Sequence, residues 1–154
     1  IIAKVREEFV RYYQQHKTDL SRVYPGITEL LKALHQAGVK LAVASNKYHQ
    51  GTVELIHHFF GEHLFDVVLG QRENIPTKPD PSIIYEILEQ TKINPAHTLY
   101  IGDSGVDMQT ALNSGITSIG VNWGFRPEEE LKQNRACYIA KEVSDIAKIA
   151  GISL

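Results

Sequence analysis

The sequence predicts a doubly wound α/β domain, a parallel sheet with helices on both faces, and three observations lead there. Short, nearly continuous apolar runs of the kind buried in parallel sheets recur along the chain, the clearest being "VKLAVAS" at 39–45. Segments with apolar residues at three- and four-residue spacing, bounded by Gly, Pro and Asp, alternate with them. Repeats, low-complexity tracts and Gly/Ser linkers are absent, so the alternation belongs to one unit. Together these features describe a Rossmann-like sheet, whose ligand site lies beyond the carboxyl ends of the strands.

From Ile1 to about His16, Val5, Phe9 and Tyr12 or Tyr13 recur at helical spacing among Lys4, Arg6, Glu7 and Glu8, which predicts an amphipathic helix. "VYPG" at 23–26 breaks the chain, and Ile27, Leu30, Leu31 and Leu34 restart a helical face that stops at Gly38, placed as the C′ residue. After the run at 39–45 come a helical segment, "GTVELIHHFF" at 51–60, and a second strand candidate, "FDVVLG" at 65–70. Beyond a polar loop, "KPDPSIIYEILEQ" at 78–90 starts a helix with Asp80 as N-cap and Pro81 at N1, where the missing N–H does no harm. "HTLYIG" at 97–102 is the third strand, and "DMQTALNSG" a helix ended by Gly115. "TSIGVN", "PEEELKQN", "CYIA" and "KEVSDIAKIAG" then read as strand, helix, short strand and last helix.

Composition narrows the function. The 154 residues are 43% hydrophobic, enough to bury a real core. Lys plus Arg number 16 against 18 Asp plus Glu, so no basic stripe points to nucleic acid. Cys137 is the single cysteine, which excludes an internal disulfide and a Cys-based zinc site and fits a reducing, cytoplasmic compartment. No apolar stretch is long enough to cross a bilayer, so no membrane partner is expected. The chain opens on Ile1, not Met, so its first residues are not taken as the start of a gene product.

Three strand candidates, or the loops just beyond them, end in polar residues: Ser45 and Asn46, Lys78, and Asp103 with Asp107. In the expected fold these converge on one crevice. A hydroxyl, an amide, an ammonium and two carboxylates are the parts needed to hold a phosphoryl group and a hard divalent cation. Mg²⁺ takes only one or two protein carboxylates and leaves its other positions to water and phosphate. Asp103 is the expected direct ligand, with Asp107 a second ligand or a holder of metal-bound water. Lys78 would neutralise phosphate charge, and Ser45 would donate to a phosphoryl oxygen. Gly102 and Gly105 would let the backbone turn sharply between strand and helix.

Each signal has an ordinary structural explanation: Asp and Gly suit turns, Asp107 suits a helix start, Ser45 and Asn46 suit caps, and Lys78 suits a solvated loop. Their joint occurrence at strand ends is what favours a site. An EF-hand beginning at Asp103 fails, because its third and twelfth positions are Gly105 and Ser114. His57 and His58, with His63 nearby, are adjacent on a helix and do not face one another. "NWGFR" at 122–126 could offer an aromatic platform, although packing of Trp123 beside a loop glycine is the commoner arrangement. A receiver-type signalling domain would place its Ser or Thr and its Lys after the phosphorylated Asp, whereas Ser45 and Lys78 precede Asp103.

"YPGITELLKALHQAGVKLAVASNK", "KPDPSIIYEIL" and "YIGDSGVDMQTALNSGITSIGVNWGFRPEEEL" together resemble the haloacid dehalogenase-like hydrolases, in particular the phosphoglycolate phosphatase-like branch. The resemblance runs from Tyr24 nearly to the C-terminus. It implies a Mg²⁺-dependent phosphomonoester hydrolase acting on a small phosphorylated metabolite. By the same resemblance Ser45 matches the phosphate-binding hydroxyl with Asn46 beside it, Lys78 the lysine that steadies phosphate and nucleophile, and Asp103 and Asp107 the Mg²⁺-binding acidic motif.

The departure from that pattern is large. The family's nucleophile and its acid/base partner come from an Asp-x-Asp strand end, and the chain contains no Asp-x-Asp. The resemblance therefore implies that residues 1–22 are the last part of a helical cap, and that 23–154 are a core domain whose nucleophile strand lies upstream. The chain alone is then expected to be inactive. The central gap between the strands ending at Ser45 and Gly102 would be filled by the missing segment or by another chain. A noncatalytic phosphate- or metal-binding regulator of the same fold is the alternative.

Overall fold

Six strands, all parallel, form one sheet in the order β3-β2-β1-β4-β5-β6. They are β1 (Ala3–Arg6), β2 (Lys40–Tyr48), β3 (Val67–Gln71), β4 (Thr98–Gly102), β5 (Thr117–Val121) and β6 (Tyr138–Ala140). The computed structural model describes residues 3–6, as backbone, 24–124 and 126–153. Among the described residues six helices cover the sheet: α1 (Ile27–Gln36), α2 (His49–Phe60), α3 (Ser82–Thr91), α4 (Gly105–Ser114), α5 (Glu128–Gln133) and α6 (Val143–Ala150).

The expected stop and spacing signals operate. In α1, Ile27, Leu30, Leu31 and Leu34 are all fully buried, each contributing roughly 1.5–3 kcal/mol relative to exposure. Gly38 ends that helix at φ 82°; its N–H donates to His35 O and that of Val39 to Leu34 O, the bond pair of a Schellman turn. At the start of α3, Pro81 and not the expected Asp80 holds the N-cap position, without a side-chain cap, while Asp80 Oδ1 accepts from the Ser82 N–H at 2.9 Å just ahead of it.

Side-chain alternation splits the core in two. Leu41 and Val43 of β2 and Leu99 and Ile101 of β4 join α1 and α6 on one face. Ala42, Ala44 and Tyr100 lie on the other, with Ile84 and Ile87 of α3 and Ala111 of α4. Period-two burial on both faces is what a doubly covered sheet requires.

One expectation is corrected. Ala3–Arg6 is not helical: it is the central strand, paired with β2 (Ala3 opposite Lys40) and with β4 (Ala3 opposite Thr98). Residues 7–16, the rest of the expected helix, lie outside the described residues. The physical reason is the demand of two buried edges. Unpaired ladder groups on β2 and β4 would cost about 1–3 kcal/mol each, and a four-residue strand satisfies both sides, which outweighs the helical spacing of Val5 and Phe9. The gap expected between these strands is filled by the chain's own residues.

This strand order has its switch point between β1 and β4, from which the connections leave in opposite directions. The carboxyl ends of those strands and of β2 bound the crevice where such sheets bind ligands.

Candidate active site

Separate pieces of chain deliver Ser45, Lys78, Asp103 and Asp107. Ser45 lies in the last part of β2, Lys78 in the loop between β3 and α3, Asp103 just past β4, and Asp107 in the first turn of α4; all four are buried. Lys78 Nζ donates to Ala44 O at 3.1 Å, Tyr100 OH at 3.0 Å and Asp107 Oδ1 at 3.1 Å. Neither side chain of the Lys78–Asp107 ion pair has any exposure. A charge pair so deep persists only when its remaining hydrogen-bonding positions are satisfied, and here they are.

Asp107 is the hub. Its Oδ2 accepts from Asp103 N at 3.0 Å, Ser104 N at 3.2 Å and Ser104 Oγ at 3.0 Å, and Tyr100 OH donates to Oδ1 at 3.0 Å. Ser104 and Asp107 form a reciprocal capping box at the start of α4, where the helix dipole also favours a carboxylate. One side chain thus ties the end of β4, the start of α4 and the Lys78 loop together. Both of its oxygens are engaged by the protein itself.

Asn46 sits at the crevice, but its amide is turned to the Lys78 backbone: Lys78 N donates to Asn46 Oδ1 at 2.9 Å, and Asn46 Nδ2 donates to Lys78 O at 3.3 Å. Its described role is to clamp the loop carrying the ammonium. Ser45 Oγ accepts from Lys47 N at 2.9 Å, which leaves the hydroxyl proton to be donated elsewhere.

The glycines act through close approach and not through the turn freedom expected of them. Neither Gly102 nor Gly105 has a positive φ. A Cβ on Gly102 would strike the Asp107 carboxylate, lying 2.6 Å from Oδ2, and one on Gly105 would lie 2.6 Å from Asn134 Nδ2. Gly124 was not singled out by sequence, yet a Cβ there would strike the Asp103 carboxylate, with Cγ at 2.7 Å. Its neighbour Trp123 stacks on Tyr24, ring centroids 5.0 Å apart and planes 13° apart, so Tyr24 covers one face of the aromatic platform considered above. Tyr100 and Ser104 were also missed. Ser104 carried a legible sign, the S-x-x-D capping pattern, and Tyr100 carried only a polar tip in an aliphatic strand.

Farther along the same sheet edge, a cavity of about 270 Å³ is lined by Tyr48, His49, Gln50, Gln71, Arg72 and Glu73. Arg72 is committed to Glu86 by two bonds of 2.9 and 2.8 Å. That pairing holds the Glu86 carboxyl below its ordinary value and raises Arg72, so the guanidinium is already neutralised.

The arrangement suits a hard cation. Among the described residues no cluster of three or more His, Cys, Asp or Glu forms a complete protein cage. Mg²⁺ does not need one, because water and phosphate complete its octahedron. Asp103 offers buried carboxylate oxygen, and the absent Cβ of Gly124 leaves space beside it. Among the described residues no helix is long and apolar enough to cross a membrane.

Residues 2–121 match the haloacid dehalogenase-like hydrolase family. The chain is 32% identical over 153 residues to the phosphoglycolate phosphatase of Vibrio vulnificus strain YJ016, covering 98% of this chain and 66% of that protein. The phosphoglycolate phosphatase of Mannheimia succiniciproducens is 29% identical over 147 residues, again with 66% of its length covered. Among solved structures, a predicted phosphoglycolate phosphatase from Haemophilus somnus superposes with a TM-score of 0.79 at 30% identity, covering 91% of this chain and 62% of that one. The chain therefore spans just under two thirds of the length of these relatives. Family match and fold agree, and the chain belongs to the haloacid dehalogenase-like hydrolases.

Proposed function

We propose that the complete protein is a Mg²⁺-dependent phosphomonoester hydrolase of the phosphoglycolate phosphatase type, acting on a small phosphorylated metabolite. The observation that carries this reading is the fully buried Lys78–Asp107 pair, held against the Asp103 backbone just past β4 and against Ala44 O within β2. Lys78 places positive charge where a phosphoryl group would sit, and the Ser45 hydroxyl donates to one of its oxygens. Asp103 would hold the cation, with Asp107 orienting it from behind through the Asp103 backbone. The cation would supply charge neutralisation for phosphoryl oxygens.

The attacking carboxylate belongs to an Asp-x-Asp strand end that these 154 residues do not contain. In the complete protein that strand would take the place Ala3–Arg6 takes here, and the 154 residues alone would hydrolyse nothing. A noncatalytic reading, phosphate or metal binding without turnover, is favoured by one fact: the central strand position is already filled by a segment lacking such a motif.

Assay of the complete gene product against a panel of phosphomonoesters, phosphoglycolate included, with Mg²⁺ or with chelator, separates the two. The hydrolase reading expects turnover that chelator and Asp103→Ala both abolish. Turnover surviving either treatment refutes the metal role, and phosphate binding with no turnover establishes the regulator.

A further inference from the structure

Tyr100 brings a polar tip into the apolar cluster between the sheet and helices α3 and α4, among Ala42, Ala44, Ile84, Ile87 and Ala111. It is fully buried. Phenylalanine would fill almost the same volume, so the hydroxyl is what needs a reason, since a buried hydroxyl is costly unless bonded. It is bonded twice, accepting from Lys78 Nζ at 3.0 Å and donating to Asp107 Oδ1 at 3.0 Å. With the 3.1 Å Lys78–Asp107 contact these atoms close a nearly equilateral triangle. The ammonium is 5.7 Å from the ring centroid, off the hydroxyl end and not over the face, so the contact is a hydrogen bond and not a cation–π interaction.

We infer that Tyr100 is a positioning residue for the Lys78 ammonium. A lysine stem has four carbons and rotates readily. Ala44 O and Asp107 Oδ1 define a line about which Nζ can swing, and the phenol oxygen, fixed on a rigid central strand, supplies the point off that line. The hydroxyl also orients the Asp107 oxygen toward Lys78. The ring's anchorage in the core thus holds a charge at the crevice in one place. This inference rests on the proposed role of Lys78 toward phosphate, but its geometric content is measurable without turnover.

The test is Tyr100→Phe in the complete gene product, with folding checked by circular dichroism. The first measurement is the ¹⁵Nζ–H resonance of Lys78 in lysine-labelled protein. A buried, triply bonded ammonium should exchange slowly enough to be seen in the parent and should broaden or vanish in Tyr100→Phe. The second is affinity for inorganic phosphate by calorimetry, expected to fall about tenfold in Tyr100→Phe and not further when Tyr100→Phe is added to Lys78→Met. An unchanged Lys78 resonance in Tyr100→Phe, or none in the parent, overturns the inference whether or not the protein is a phosphatase. Equal losses from Tyr100→Phe with and without Lys78 also overturn it, because a merely structural hydroxyl would behave that way. A parent that binds phosphate without hydrolysing it fails the proposed activity alone.

Discussion

Cutting the buried ion pair from either side should have unequal consequences. Lys78→Met removes the ammonium but leaves Asp107 with four donors: Tyr100 OH on Oδ1, and Asp103 N, Ser104 N and Ser104 Oγ on Oδ2. Its cost lies near the lower end of that for breaking a buried pair, about 3 kcal/mol. Asp107→Asn is worse. Its carboxamide oxygen must stay with the three donors at the Oδ2 position, which turns the NH₂ toward Lys78 Nζ, donor against donor. Among the bonds described above, the ammonium then keeps those to Ala44 O and Tyr100 OH, neither of which carries charge. Loss of the buried ion pair at roughly 3–5 kcal/mol and a frustrated donor at roughly 1–3 kcal/mol sum to about 4–8 kcal/mol. For a domain of this size, about 2–4 °C per kcal/mol, Lys78→Met should lower the melting temperature by roughly 6–12 °C, and Asp107→Asn should approach unfolding. Thermal and urea melts followed by circular dichroism measure both. Lys78→Met destabilising as much as Asp107→Asn, or both lying within about 1 kcal/mol of the parent, would refute the account of Asp107 as hub.

Gly124→Ala should displace the Asp103 carboxylate and weaken Mg²⁺ binding at least about tenfold by calorimetry, with little change in melting temperature, because the collision is with the ligand side chain. Ser104→Ala removes the cap of α4 and one donor to Asp107, and should cost about 1–2 kcal/mol in urea melts. Glu86→Gln tests the sign of a surface pair that is about 70% covered, with side-chain exposures of 28% and 29%. Because Arg72 lowers the folded carboxyl below 4.5, the pair stabilises above that pH and fades as pH falls through the folded value. The parent should therefore exceed Glu86→Gln by up to about 1 kcal/mol at neutral pH, with the gap in melting temperature closing in acid.

The fold was legible where local chemistry and tertiary demand agree. Gly38 ends α1 because only a residue at ease with φ 82° completes that turn, whereas α3 begins at Ser82, one residue beyond the expected start. β2 was read as ending at Ser45 but continues to Tyr48, because Gln71 of β3 pairs with Tyr48 and pairing partners leave no mark on a strand's own apolar pattern. Ala3–Arg6 failed for the same reason: its helical spacing is local, while its strand state is imposed by β2 and β4. In the crevice, residue types at strand ends could be anticipated from the fold rule. The clamp of Asn46 on Lys78 spans 32 positions, and the contact of Gly124 with Asp103 spans a whole βα unit. Only the folded chain brings such partners together.

The placement of β1 has a consequence for how the molecule is made. β1 completes its ladder only when Lys40 and Thr98 both exist, so it waits through the synthesis of β2, β3 and the helices between them before it gains its second neighbour. Until β4 has been translated, the β2–β3 half of the sheet can gain at most one flank of its central partner and still presents an open backbone ladder. Nascent chains stalled before Thr98 should for that reason be far stickier than those stalled beyond Gly102.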